Sequence, residues 1–343
     1  MIDYMVKKIE ELVTIHSPSG YTDSVMTYVE GEVAKLGYKL ERTRKGVGYV
    51  SVSGSGNMPS LAVAAHVDTL GAMVRSINSD GTIRFTSIGG YLMSSVNGEY
   101  CTLYTRDGKQ YTGTILSLQP SVHAYPKIRE FELIEENMHI RLDEMVASKE
   151  DTESLGIEVG NIIGFEPRFQ QTASGYIKSR HLDDKASVGI LLGLLKNLKE
   201  SAIVLPYDLK MIFSTYEEVG HGAAFIPGDV ERLLAIDMGT IGDDLACTEE
   251  DVSICVKDSS GPYDQGMVNE LLALAKSNNL AYALDVYPRY SSDASAALRA
   301  GANIRAALIG PGVHASHHME RTHINGLKNT FELAKAYMQI IDK

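Results

Sequence analysis

The sequence predicts an α/β fold: a mostly parallel sheet flanked by helices and interrupted by an inserted, mostly β domain. Three observations carry this prediction. Apolar strand-like runs alternate with helical periodicity in both outer parts of the chain, the pattern of a parallel sheet covered on both faces. From about residue 72 to 171 that alternation gives way to short β-like pieces separated by Asp-Gly and Gly-Gly turns. The length of 343 residues exceeds a typical single domain, and 44% hydrophobic with 22% charged residues is sufficient for a full core. The expected partition is therefore one α/β domain built from residues 1–71 and 172–343 around an insert of residues 72–171.

Residues 1–36 read as two helices, because Met5, Ile9, Leu12 and Val13 follow helical spacing and Ser17-Pro18-Ser19-Gly20 breaks it. Residues 49–53 and 61–65 read as strands joined by the turn Gly54-Ser55-Gly56-Asn57. In the insert, strands are expected at 82–85, 99–104, 111–118 and 161–165. Residues 184–197 form a helix whose apolar face carries Val188, Leu191, Leu192 and Leu195. Strands follow at 209–215 and 233–236, a helix at 267–277, a strand at 281–286, a helix at 293–300 and a strand at 304–309. A final helix is expected over 325–341 with Asn325 as its N-cap.

Composition excludes several function classes. A net charge of −12 argues against a nucleic-acid partner and leaves no basic patch for an anionic membrane. Residues 1–11 are charged and amphipathic, unlike a secretory signal, and no apolar run approaches the roughly 20 residues of a membrane span. Cys101, Cys247 and Cys255 are odd in number and lack CxxC spacing, so reduced thiols and a cytoplasmic location are expected. Any metal must then be held by His, Asp and Glu.

Five stretches offer such groups at the ends of apolar segments. The first is His66-Val67-Asp68-Thr69-Leu70-Gly71, where a strand delivers an imidazole and a carboxylate two residues apart, on one face. Imidazole is a common metal ligand, and a carboxylate beside it can fix the tautomer. Next comes Arg180-His181-Leu182-Asp183-Asp184-Lys185, although two aspartates before a helix also serve as a cap with favourable dipole charge. The paired Glu217 and Glu218 directly after the apolar run 211–213 have no such capping excuse. Asp237 ends the strand 233–236, a position also used by ordinary turn formers. Finally, residues 314–323 contain four of the 10 histidines.

Converging strand ends of this kind suit zinc, cobalt or manganese better than calcium, which prefers oxygen alone. The ligand count exceeds the three protein ligands of a single catalytic zinc. Two divalent metal ions about 3.5–4 Å apart, sharing one carboxylate and one water, account for the surplus and leave one glutamate of the pair as general base.

Taken in order, His-x-Asp-x-x-Gly, Leu-Asp-Asp-Lys, Glu-Glu-x-Gly, the strand-end Asp and the late His-x-x-Glu-Arg-Thr-His resemble the cytosolic dinuclear metallo-aminopeptidases. That family includes the glutamyl and deblocking aminopeptidases and the tetrahedral dodecameric peptidases, some once labelled endoglucanases. The resemblance covers essentially the whole chain. It implies a zinc-exopeptidase-like catalytic domain, a barrel-like insert used for assembly, peptide substrates, and a homo-oligomer that is dimer-based or dodecameric. By the same resemblance His66 binds one metal with Asp68 orienting it, and Asp183 bridges both ions. Glu217 is the base, Glu218 binds the metal opposite the one held by Asp237, and His317 is the last ligand. His314 and His318 stay open as alternatives to His317, and spacing alone does not decide between Glu217 and Glu218. Thr69 departs from the glutamate that many members carry there.

The stretch 287–294 (Tyr-Pro-Arg-Tyr-Ser-Ser-Asp-Ala) is a candidate wall of the substrate pocket, with Arg289 and Asp293 as substrate-binding residues. An ordinary strand-to-helix connection capped by Ser292 explains it equally well. A dipeptidase or deacylase of a related dinuclear class is the alternative enzyme. A glycoside hydrolase is disfavoured, since adjacent carboxylates do not flank a sugar bond and the chain has no tryptophan.

Overall fold

The computed structural model describes residues 1–56 and 60–339. At its centre the strands Leu209–Ser214, Ser60–His66, Val230–Ile236 and Arg305–Val313 lie side by side and parallel. Ser60–His66 is buried along its whole length, which explains why its sequence is a continuous small apolar run and not an alternating one. Antiparallel neighbours extend the sheet on both flanks: Gly48–Val52 and Leu40–Arg42 on one side, Val252–Asp258 on the other. The strand Tyr282–Val286 then pairs parallel to Val252–Asp258.

The helices Ile2–Val13, Leu182–Ser201 and Ile324–Tyr337 pack on one another. Met5, Ile9, Leu191, Leu195, Leu327 and Phe331 join the sheet residues Val63, Leu234 and Leu308 in one core.

The insert folds as a closed six-stranded antiparallel barrel of Gly71–Ile77, Ile83–Ile88, Met138–Leu142, Gln110–Ser117, Tyr100–Tyr104 and Ile162–Phe165. Closure leaves no strand edge unpaired. Its core, with Phe85, Leu103, Ile115, Ile140 and Phe165, is separate from the main one. Two barrel strands escape sequence reading. In Gly71–Ile77 a register shift between Val74 and Ser76 breaks the alternation, and Met138–Leu142 follows a charged stretch in only five residues. Residues 170–171 are not part of the barrel; they pair with Tyr176–Ser179 and, through it, join Glu320–His323 in a small sheet.

Two helix-end expectations are corrected. The last helix is capped by His323, whose Nδ1 accepts the Asn325 amide at 3.1 Å, so Asn325 lies inside the helix. That helix ends at Tyr337; the expected residues 340 and 341, like Asn57 of the first turn, lie outside the described residues.

Barrel and main body meet at His16. Its Nδ1 lies 2.7 Å from the Tyr104 hydroxyl of the barrel, and its Nε2 is buried 4.0 Å from Glu166 Oε2. Burial, followed by the nearby Lys185 charge, lowers its pKa to about 4. The unfolded chain therefore binds a proton below about pH 6.5 that the folded chain refuses, and stability falls as pH drops toward 4. The full effect is about 3 kcal/mol, of which about 2 kcal/mol is lost by pH 5. Urea unfolding at pH 7.5 and pH 5 should show His16→Gln losing less stability on acidification than the parent by that amount.

Candidate active site and metal centre

The parallel register carries the chemistry to one edge. Ser214 pairs with His66, and Ala235 with Ala64, so the carboxyl ends of three adjacent strands lie together. His66 ends the first, Glu217 and Glu218 follow the second, and Asp237 follows the third. Asp183 and Asp184 come from the non-helical start of Leu182–Ser201, whose regular turns begin after them. His317 arrives on the loop after Arg305–Val313. Gly310 allows the strand ends this close, because a Cβ there would overlap the Asp237 carbonyl.

The Asp183 carboxylate lies between two imidazoles. Its Oδ1 is 3.1 Å from His66 Nε2, and its Oδ2 is 3.3 Å from His317 Nε2. Glu218 is on the His317 side, with Oε2 3.5 Å from the same Nε2. Asp237 joins His66 on the other side; ligand atoms of His66, Asp184 and Asp237 lie within 4.8 Å of one another, as do those of His66, Asp183 and Glu218. Glu217 Oε2 is 3.8 Å from His66 Nε2. Glu217–Val219 form a single 3₁₀ turn, and that bend lets both glutamates reach the site where a regular strand would send them to opposite faces.

All the expected metal and catalytic residues thus converge. Asp68 faces His66 with both its main chain and its carboxylate. The nearest acceptor to His66 Nδ1 is the Asp68 main-chain oxygen at 2.9 Å, with its carboxylate at 3.5 Å. The Asp68 carboxylate accepts the Glu217 and Glu218 amides at 3.1 and 3.3 Å and the Ser19 hydroxyl, so it also holds the glutamate turn.

Neither alternative histidine competes with His317. His314 is exposed on an isolated bridge to Arg321, and His318 Nδ1 accepts the Met319 amide at 2.7 Å. Three supporting groups were not singled out by sequence. Glu320 accepts the His317 amide on one oxygen and the Asp183 amide on the other, each at 3.1 Å. Asp184 accepts the His66 amide at 3.2 Å. The Gly90 carbonyl, from the barrel, lies 2.5 Å from His317 Nδ1 and so directs Nε2 toward Asp183. Spacing signals Asp184 and Glu320 once the motifs are seen; nothing in the sequence signals Gly90.

In the stretch 287–294, Arg289 is exposed, whereas Asp293 is buried and engaged by the Ser214 hydroxyl and, at 2.8 Å, the Ala223 amide. Ser292 makes no capping bond; its hydroxyl lies 2.8 Å from the Tyr263 hydroxyl.

The electrostatics of the site are those of crowded, buried acids. Burial first, then the surrounding carboxylates, raises Glu217 and Glu218 well above the ordinary carboxyl range and Asp237 to about 7. Burial alone would lower His66, but Asp183 and Asp68 hold it well above its usual value. Glu218 Oε1 and Asp184 Oδ1 are buried without a hydrogen-bond partner among the described residues. Two imidazoles, a carboxylate shared between them, and one further acid on each side form a donor set that fits two divalent ions of the zinc type.

The family model of M42 glutamyl aminopeptidases matches residues 46–333, and the chain belongs to that family of hydrolases. The putative aminopeptidase YhfE of Bacillus subtilis (strain 168) is 47% identical over 332 residues, covering 96% of each chain. Among solved structures, aminopeptidase APDkam598 from the archaeon Desulfurococcus kamchatkensis superposes with a TM-score of 0.89 at 25% identity, over 99% of this chain and 96% of its own. The Pyrococcus horikoshii TET1 peptidase, which can assemble into a tetrahedron or a large octahedral shell, shares the fold with a TM-score of 0.84 at 22% identity, over 97% of this chain and 98% of its own.

Because Glu320 fixes the backbone under two ligands, Glu320→Ala should weaken metal binding about 10- to 100-fold, the usual cost of losing such support. Competitive titration against a chelator measures it.

Proposed function

We propose that this chain is a metal-dependent aminopeptidase that hydrolyses the amino-terminal residue from peptides, using two divalent ions per chain. Zinc or cobalt suits the donor set best, with manganese next. His66, Asp183 and Asp237 would hold one ion, and Asp183, Glu218 and His317 the other. The observation that carries this reading is the Asp183 carboxylate set between two imidazoles that each face a different oxygen. When bound, such a pair supplies Lewis-acid polarisation of the scissile carbonyl and eases deprotonation of water near neutral pH.

The remaining steps belong to the chain. Glu217, close to His66 and anchored through its own amide to Asp68, takes the proton of the attacking water. It later delivers that proton to the leaving amine. Asp68 and Glu320 act through others, fixing the glutamate turn and the His317 loop. The dense negative charge of the site attracts the free α-amino group of a substrate, which limits cleavage to the first residue. Asp293 anchors the Ser214 and Ala223 segments beside it, and the exposed Arg289 is the candidate for favouring acidic amino-terminal residues.

The same reading makes the protein a cytoplasmic homo-oligomer, dimer-based or dodecameric, with the barrel as its assembly domain. Support comes from three buried free thiols and from the fold shared with an assembling peptidase.

Glu217→Gln should retain about two ions per chain by elemental analysis yet lose about 10²- to 10⁴-fold in turnover on aminoacyl amides, the usual contribution of a positioned base. Near-parental turnover would refute the base assignment. On a panel of amides, Arg289→Ala should lower kcat/KM for acidic residues selectively, and equal hydrolysis of acidic and aliphatic amides by the parent would remove that specificity.

A further inference from the structure

Residues 314–319 bring His317 to the metal site on a costly backbone. Ala315 and His317 have φ of 57° and 61°, a left-handed conformation that a residue with a side chain keeps only where its surroundings hold it. Some of that hold is internal. His314 and Arg321 exchange main-chain hydrogen bonds at 2.8 and 3.1 Å, and the His318 amide reaches the Ala315 carbonyl at 3.0 Å. These bonds shape the loop from within, and its place over Asp183 has to be set by other segments.

Arg180 supplies such a contact. It follows the strand Tyr176–Ser179 directly, and its own amide is bonded to the Pro167 carbonyl at 2.8 Å. The residue is only 3% exposed, and a guanidinium buried to that degree is tolerated where its donors are used. Nη1 donates to the His318 carbonyl at 3.3 Å. Nη2 donates to the Ser95 carbonyl of the barrel and lies 3.3 Å from Glu99 Oε1. Ser95 and Glu99 belong to the connection between the barrel strands Ile83–Ile88 and Tyr100–Tyr104, as does Gly90, whose carbonyl meets His317 Nδ1. Arg180, Ser95, His317, His318 and Glu320 also line one hollow of about 10 Å³, space for roughly a single water. Glu99 has a second partner in Arg168 Nη1 at 2.8 Å, so neutralising that acid does not by itself account for Arg180.

We propose that Arg180 is a positioning residue for the ion on the His317 side, its guanidinium gripping the His318 carbonyl against the barrel and so keeping His317 Nε2 aimed at Asp183. A planar fork that spans two carbonyls is a rigid spacer, which a flexible ammonium is not. The role rests on the two-ion reading above and adds an asymmetry to it. The ion assigned to His66, Asp183 and Asp237 has its imidazole on a central strand, outside the loop that Arg180 holds. One side chain therefore supports one ion and not the other.

The test is a chelator titration of the cobalt-loaded full chain, in which the step removed by His317→Ala marks the His317-side ion. Arg180→Met keeps the stem and deletes the donors, while Arg180→Lys keeps the charge beside Glu99 and loses the fork. In Arg180→Met the His317-side ion should bind about 10- to 100-fold more weakly, the usual cost of a lost support behind a metal ligand, with the other ion bound as in the parent. Arg180→Lys should fall between the two. Glu99→Gln, which leaves both carbonyl contacts in place, should keep parental affinity at both steps. A contact that merely joins the barrel to the body would lower the melting temperature and leave both affinities unchanged. The proposal is overturned by that result, by equal weakening of both ions, or by Glu99→Gln reproducing the effect. If Arg180→Met does not fold, Arg180→Lys carries the same readings. Release of a single ion from the parent would instead count against the two-ion reading, and two ions without cleavage of any aminoacyl amide against the aminopeptidase reading.

Discussion

Mutual repulsion among buried carboxylates is the constraint around which this molecule is organised. Asp68, Asp183, Asp184, Glu217, Glu218 and Asp237 are gathered at one sheet edge with two imidazoles to answer them. In water such a cluster disperses; in a low-dielectric interior it stays together only if protonated or if cations neutralise it. Everything nearby opposes that dispersal. The amides of Glu217 and Glu218 are turned onto Asp68, and those of Asp183 and His317 onto Glu320. Backbone donors thus steady the acids.

The parallel sheet makes this gathering geometrically cheap. Adjacent strands running the same way end at the same edge, so ligands distant in sequence become neighbours without any loop having to fold back over them. The antiparallel flanks lie outside the four strands that matter. The cost is conformational: the strand ends approach so closely that position 310 has no room for a side chain.

Much of this was legible in the sequence because it follows from periodicity and from strand-end placement. The buried run 61–65 and the alternation after residue 182 define the sheet, and His66, Asp183, Glu217, Glu218, Asp237 and His317 meet as their positions imply. What was not legible depends on contacts between distant backbone atoms. The Asp68 carbonyl meets His66 Nδ1 through a backbone contact, and the Asn325 amide is taken up by the His323 side chain. In the loop 287–292 and the helix after it, Arg289 and Asp293 drew notice because they are charged; Arg289 is exposed and Asp293 is held by Ser214 and Ala223.

The Gly90 carbonyl at His317 has a consequence for how the chain can be divided. Each body has its own hydrophobic core, and by that criterion the barrel is a removable module. By the criterion of ligand tautomer it is not, because the oxygen that decides which nitrogen of His317 carries the proton belongs to the barrel. Excising the insert to obtain a minimal enzyme would spare the sheet and unseat an imidazole. Variation in the insert is correspondingly restricted where Gly90 meets His317, where Tyr104 meets His16 and where Glu99 meets Arg180.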